Sequence, residues 1–385
     1  MKINNPIKII LQLIILFCFF SCVKEPDTNE PHIINNGYNC CFILNEGRWG
    51  TDNASITKYN LDGHIITNYY FRNSNKNLIL GDNANDIMLW DSLVFVSVSG
   101  TATIEVFNIY DGKSKGRIFF PNYTMPRKFA FINDTMVFVS AYVERSGTDY
   151  YVYYFNPSNL IASQDNIQNN KIKVGSHPEG ICYDSVNKKL YVVNSGYGDF
   201  DCDNPIAATI SVIDINTKTE IATIKTDNNP NRIYFNNNKI YVVCWGLPSD
   251  TNEIKGAIIE YEPNTMEINR KWNTNVYDLC FNKTGDILYF INSTWNSVNP
   301  KKSAAGLYSI NLNELNSEPK IIISNPNEFE MWSALQINYT DNSIWIANSF
   351  KYNSDGEIMI YDGLNLRTKF AVGNIPNSIK FSYIY

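Results

Sequence analysis

Histidine is scarce: His32, His64 and His177 are the only three in 385 residues. That supply argues against a multi-histidine copper or iron centre. Charge is also thin, at 18% of residues. The 32 basic and 38 acidic side chains give a net charge of −6, with no dense basic run. Nucleic acid is therefore not an expected partner, because neutralising phosphates takes clustered Lys and Arg. The eight cysteines show neither CxxC nor His-paired zinc spacing. No glycine string has the spacing and the following Lys of a phosphate-cradling loop. Beyond the amino terminus, no apolar run approaches membrane length. What is present is a large apolar fraction, 44%, of which aromatics alone supply 14% of the chain. That can bury a sizeable core and excludes wholesale disorder. Asn is abundant alongside Lys and Ile, a pattern of codon bias, so isolated Asn residues are not read as ligands.

The first 22 residues form an address. Lys2 and Lys8 precede an apolar run from Ile9 to Phe20 broken only by Gln12. As a helix this run spans about 18 Å, short of the roughly 30 Å hydrocarbon core, so it reads as a signal peptide over residues 1–21. Phe19-Phe20-Ser21-Cys22 resembles a bacterial lipobox, which makes Cys22 the expected lipidation site; the alternative is an ordinary secretory cleavage near Ser21. Residues 22–36, with Pro26 and Pro31, suit a flexible tether. Lys24-Glu25-Pro26-Asp27 resembles the surface-export signal of Bacteroidota lipoproteins, against a plain periplasm-facing tether. The membrane is then met through acyl chains only. Of the remaining cysteines, Cys182 and Cys280 occupy equivalent strand positions and are expected to be buried, inert thiols.

Internal repetition fixes the architecture. A polar lead-in followed by alternating apolar residues recurs at Ile87/Leu89, Phe129/Phe131, Ile181/Tyr183, Ile233/Phe235, Leu279/Phe281, Leu335/Ile337 and Ile379/Phe381. A second apolar strand with a small or polar end follows each time, as in Val192-Val193-Asn194. A third ends in Asn, Asp or Glu, as in Ile210 to Asp214. The period of about 50 residues is that of a four-stranded propeller blade with a long loop. The first repeat lacks its own first strand, and residues 375–381 supply a surplus one. The expectation is an all-β, seven-bladed β-propeller over residues 37–385, the carboxy-terminal strand closing the first blade and removing the open edge. An open solenoid would leave those matched ends unexplained.

Leu190-Tyr191-Val192-Val193-Asn194, with Ile210 to Asp214 and Thr223-Ile224, resembles the YVTN-type propeller repeat. Leu44-Asn45-Glu46-Gly47-Arg48-Trp49-Gly50, then Ala54-Ser55-Ile56, resembles the opening of a Bacteroidota group of YncE-like propeller lipoproteins. The resemblance covers residues 40–385 and is diffuse in the second and third blades. It implies a seven-bladed ring. For some members of the group it implies surface capture of cobalamin for a TonB-dependent outer-membrane transporter; it suggests that ligand without fixing it.

One face gathers aromatics. The loops after the second strands and between blades carry Arg48, Trp49, Arg127, Tyr142, His177, Tyr197, Arg232, Trp245, Trp295, Trp332 and Phe350. Such a rim suits a large, partly planar, polar ligand or a protein hot spot; the alternative is that these rings pack between blades. Asp199, Asp201 and Asp203 alternate and could converge on Ca2+, although the EF-hand pattern is not met; otherwise the loop is a solvated acidic one. A general base would have to be His177, which instead reads as a rim residue, so no catalytic residue is expected. Three functions stand: capture of a ligand such as a corrinoid with a TonB-dependent transporter, a protein-interaction or adhesion propeller, and a lactonase- or lyase-type enzyme.

Overall fold

The computed structural model describes residues 39–76, 78–121, 124–143, 150–159, 164–196, 206–247, 256–293, 305–325, 330–352 and 354–382. These form seven four-stranded antiparallel sheets, each an up-and-down blade. The innermost strands are Ala84–Trp90, Thr124–Asn133, Pro178–Asp184, Pro230–Asn236, Asp278–Phe281, Trp332–Ile337 and Pro376–Ser382. All seven coincide with the repeated polar lead-in and apolar alternation. The last pairs with Cys40–Asn45 at the chain's other end, in one register from Cys40↔Ser382 to Leu44↔Ser378 and with a one-residue shift before Asn45↔Pro376. Blade one is therefore built from both ends, as the missing and surplus strands require. The outer strands are variable, from three residues in blade one (Ile65–Thr67) to ten in blade seven (Asn365–Asn374). After the short one a helical turn, Tyr70–Ser74, places Phe71 against Phe107, with ring centroids 5.5 Å apart.

Two local devices repeat. The Asn that ends a second strand spans the blade. Asn194 Nδ2 donates to Thr209 and Ser211 at 2.9 and 3.0 Å, and Asn45 Nδ2 donates to Ser55 and Thr57 at 3.2 and 3.1 Å. The residue just before an innermost strand is left-handed in four blades: Asn83, His177, Asn229 and Ile375, with φ between +51° and +55°. Its carbonyl accepts from the residue just after the neighbouring second strand, as in Ser195 N to His177 O at 3.0 Å and Glu46 N to Ile375 O at 2.8 Å. Asn tolerates this conformation, whereas at β-branched Ile375 it costs on the order of 1 kcal/mol. One residue further on, Gly196 (φ +68°) and Gly246 (φ +74°) make the turn that carries the chain onto the rim.

The core lies between blades. Trp345, for instance, packs edge-on against Tyr59 and Phe381 at 5.3 and 5.1 Å, joining blade seven to blade one. Cys40, Cys41, Cys182, Cys244 and Cys280 are free and buried, and burial raises the pKa of the last four. Among the described residues, no helix is long and apolar enough to cross a membrane. The signal, the lipobox with Cys22 and the tether lie outside the described residues.

Candidate functional site

The innermost strands surround a central channel, a cavity of about 410 Å³. The polar lead-ins of these strands bring ionisable groups to its mouth, on the face where second strands end and blades join. They assemble into two clusters, each beside aromatic rings.

The first cluster is on blades three and four. Glu179, 3% exposed, accepts from Arg127 Nε and Nη2 at 3.0 and 2.9 Å. Tyr142 Oη donates to the same carboxylate. The Arg127 guanidinium also lies over the Tyr142 ring, 4.6 Å from its centroid, so one cation is held by a fork and a π face together. His177 packs edge-on to Tyr142 at 5.1 Å and tilted against Tyr150 at 4.6 Å. Its Nδ1 lies 2.8 Å from Ser176 Oγ.

The second cluster is on blades five to seven. Arg232 pairs with Asp278 at 3.3 Å, and Tyr234 Oη donates to the same carboxylate at 2.8 Å. Burial alone would lower the Arg232 pKa; Asp278, then Tyr234 and Tyr277, hold it up. Trp245 stacks on Tyr277 with centroids 5.1 Å apart and planes 16° apart, and its Nε1 donates to the Tyr277 carbonyl at 3.2 Å. Tyr277 Oη is 3.3 Å from Tyr352 Oη, and burial raises both phenols above their ordinary value. Phe350 and Tyr352 both sit at positive φ in one short turn, which carries Tyr352 to the shelf.

Between the clusters stand Asp86, Lys128 and Glu46. Lys128 Nζ donates to the Asn85 carbonyl and lies 3.9 Å from Asp86. Burial lowers its pKa to about 8 in spite of the Asp86 carboxylate, and Arg232 and Arg127 add to the depression. Glu46 accepts from Asn83 and Asn377 at 2.7 and 3.1 Å, and burial raises its pKa against the pull of Arg127. A lysine-labelled NMR titration is expected to show one ε-nitrogen with a midpoint near 8. In Asp86→Asn that midpoint should fall further, because the opposing charge is gone. A midpoint in the ordinary lysine range would contradict this placement.

Of the rim residues expected from sequence, Arg127, Tyr142 and His177 meet in one cluster and Arg232 and Trp245 in the other. Arg48 and Trp49 are exposed, Trp49 by 56%, on the loop that leaves the same face. Trp332 is a correction: it is 1% exposed in the core between blades six and seven, so it packs between blades and does not form the rim. Phe350 is half-buried, and its neighbour Tyr352 is the one that reaches the shelf. Tyr197, Trp295 and the Asp199, Asp201, Asp203 trio lie outside the described residues. Among the described residues, no three His, Cys, Asp or Glu side chains gather as a metal site would require. Asp86, Lys128 and Asp278 were missed as individuals; their signal was the polar lead-in, read as a strand marker only.

No protein-family model and no curated protein matches the chain. Solved structures do. A quinonprotein alcohol dehydrogenase-like protein from Bacteroides thetaiotaomicron aligns with TM-score 0.63 and 12% identity, over 90% of this chain and 78% of that one. A functionally unknown protein from Desulfotomaculum acetoxidans aligns with TM-score 0.57 and 12% identity, over 90% and 100%. Kuenenia stuttgartiensis hydrazine synthase aligns with TM-score 0.56 and 14% identity, over 74% and 80%. At these identities the likeness is one of fold.

Proposed function

We propose that this propeller is a lipid-anchored outer-membrane protein, displayed at the cell surface, that captures a large, partly planar ligand on its channel-mouth face. A corrinoid such as cobalamin, passed on to a TonB-dependent outer-membrane transporter, is the ligand we favour. The observation that carries the binding reading is the Trp245–Tyr277–Tyr352 shelf beside Arg232, facing the Arg127–Tyr142–His177 cluster across one mouth. Flat rings and fixed cations around an opening suit a flat ligand edged with amides and a phosphate. The groups are already held by hydrogen bonds and stacking, so little ordering remains to be done on binding. Location and the corrinoid itself rest on the resemblance of the amino-terminal signal and of residues 44–56.

We read the site as non-catalytic. The Ser176–His177 contact lies inside the blade-entry turn with Ser176 buried, and the carboxylates Glu179 and Asp278 are taken up by arginines. The exposed Trp49 beside Arg48 favours a second reading, in which the face meets a protein; a transporter would be one such protein, an adhesion partner another.

The test uses residues 23–385, which contain every described strand. Titration with cobalamin and cobinamide, followed by tryptophan fluorescence and calorimetry, is expected to give stoichiometric sub-micromolar binding. Trp245→Ala should weaken it by about 30-fold or more, the size of a stacked hot spot. Failure to bind at high micromolar corrinoid would remove that ligand and leave the protein-partner reading in front.

A further inference from the structure

Below its mouth the channel carries a charge that the shelf does not use. Five ionisable Lys, Arg and Asp residues line it: Asp86, Lys128, Arg232, Asp278 and Lys380. Four of them compensate in pairs, Arg232 with Asp278 at 3.3 Å and Lys128 with Asp86 at 3.9 Å. Lys380 is half-buried on the innermost strand of blade one and has no ion-pair partner among the described residues. Elsewhere the wall is apolar or neutral, including Met88, Ala130 and the thiols of Cys182 and Cys280, which burial keeps protonated. A cation on such a wall lacks the counter-charge that would offset its desolvation.

A second group is also left open. Asn377 is 9% exposed and lines the same channel. Its Nδ2 donates to Glu46 and to the Ala84 carbonyl, both at 3.1 Å, while its Oδ1 has no partner. A buried amide oxygen without a donor has given up its hydrogen bonds to water with nothing in return. The two groups are three residues apart on one strand, about 10 Å along it. The cavity volume falls within the roughly 300–1,000 Å³ of small-molecule sites.

We propose that the channel is a separate binding site for a small amphipathic carboxylate. The carboxylate pairs with Lys380 and the chain lies along the apolar wall. A hydrogen-bond donor elsewhere on the molecule would meet Asn377 Oδ1. This does not rest on the corrinoid reading, because the shelf lies at the mouth and Lys380 within.

Calorimetric titration of the same protein with octanoate and with its neutral amide, octanamide, tests it. Octanoate is expected to bind saturably, at least ten times more tightly than octanamide. Lys380→Gln should erase that preference and Lys380→Arg should keep it, while both leave the thermal transition and any corrinoid affinity unchanged. No saturable octanoate binding, equal affinity for acid and amide, or octanoate binding indifferent to Lys380→Gln would each overturn the proposal. The acid-to-amide comparison decides on the unaltered protein even if a variant fails to fold. A corrinoid titration that fails while octanoate binds would remove the shelf ligand and leave this site standing.

Discussion

Deletion of residues 376–382 is expected to abolish cooperative folding. That segment is the innermost strand of blade one and pairs along the whole of Cys40–Asn45. Without it, Cys40–Asn45 becomes an unpaired edge of buried residues facing the channel, the kind of edge that templates aggregation. The loss is also one of packing. Ile379 and Phe381, 3% and 6% exposed, belong to the cluster that joins blades seven and one through Trp345. Phe381→Ala alone should cost about 3–5 kcal/mol, the usual range for a phenyl ring removed from a core. Removing both side chains together with the strand's ladder bonds exceeds the roughly 5–15 kcal/mol that holds a native protein together. Thermal unfolding followed by circular dichroism should show a normal sigmoid for the intact chain, a lower midpoint for Phe381→Ala, and no cooperative transition for the deletion. A deletion protein that melts like the intact one would mean the ring does not depend on this strand for closure.

The closing strand shows why so much of the fold was legible. An innermost strand touches both neighbouring blades, so its alternation is held to apolar residues in every repeat. Its partner strand is equally constrained, and seven copies of a weak pattern make a strong one. Outer strands were less legible for the opposite reason: the sequence marks one clearly, residues 221–224 inside Thr219–Lys225. Others, such as Lys320–Asn325, place exposed residues such as Ile321 at the circumference, where water accepts nearly any side chain. The site was legible by position more than by role. Which residues lie on the rim follows from the repeat. Whether a rim tryptophan faces outward or inward does not, and Trp245 and Trp332 went opposite ways. Trp245 follows a second strand and stacks over Tyr277. Trp332 opens an innermost strand and is covered by the preceding blade. The ion pairs Arg127–Glu179 and Arg232–Asp278 join residues about 50 positions apart on adjacent blades, and no local pattern marks them.

Those cross-blade pairs lead to the second large effect. Glu179→Ala is expected to destabilise the protein by about 3 kcal/mol or more, although it deletes only a short side chain. Glu179 receives two nitrogens of Arg127 and the hydroxyl of Tyr142, so its loss removes an acceptor shared by a largely buried guanidinium and a buried phenol. Removing one partner of such a pair typically costs about 3–5 kcal/mol, because the other charge remains desolvated. Arg127 is 19% exposed, and water reaching it should place the loss near the lower end of that range. Replacing both residues by Met should recover most of it, since an apolar pair of similar volume leaves no charge behind. A double-mutant cycle in urea, with Arg127→Met, Glu179→Met and the combination, measures this directly. Strong negative coupling, with the double variant more stable than either single one, is the expected result. Additive losses would mean that water already satisfies both groups at the mouth. The same cycle read through corrinoid titration separates structure from recognition: the double variant lacks the Arg127 cation and the Glu179 carboxylate that receives Tyr142, so it should keep its fold and lose affinity.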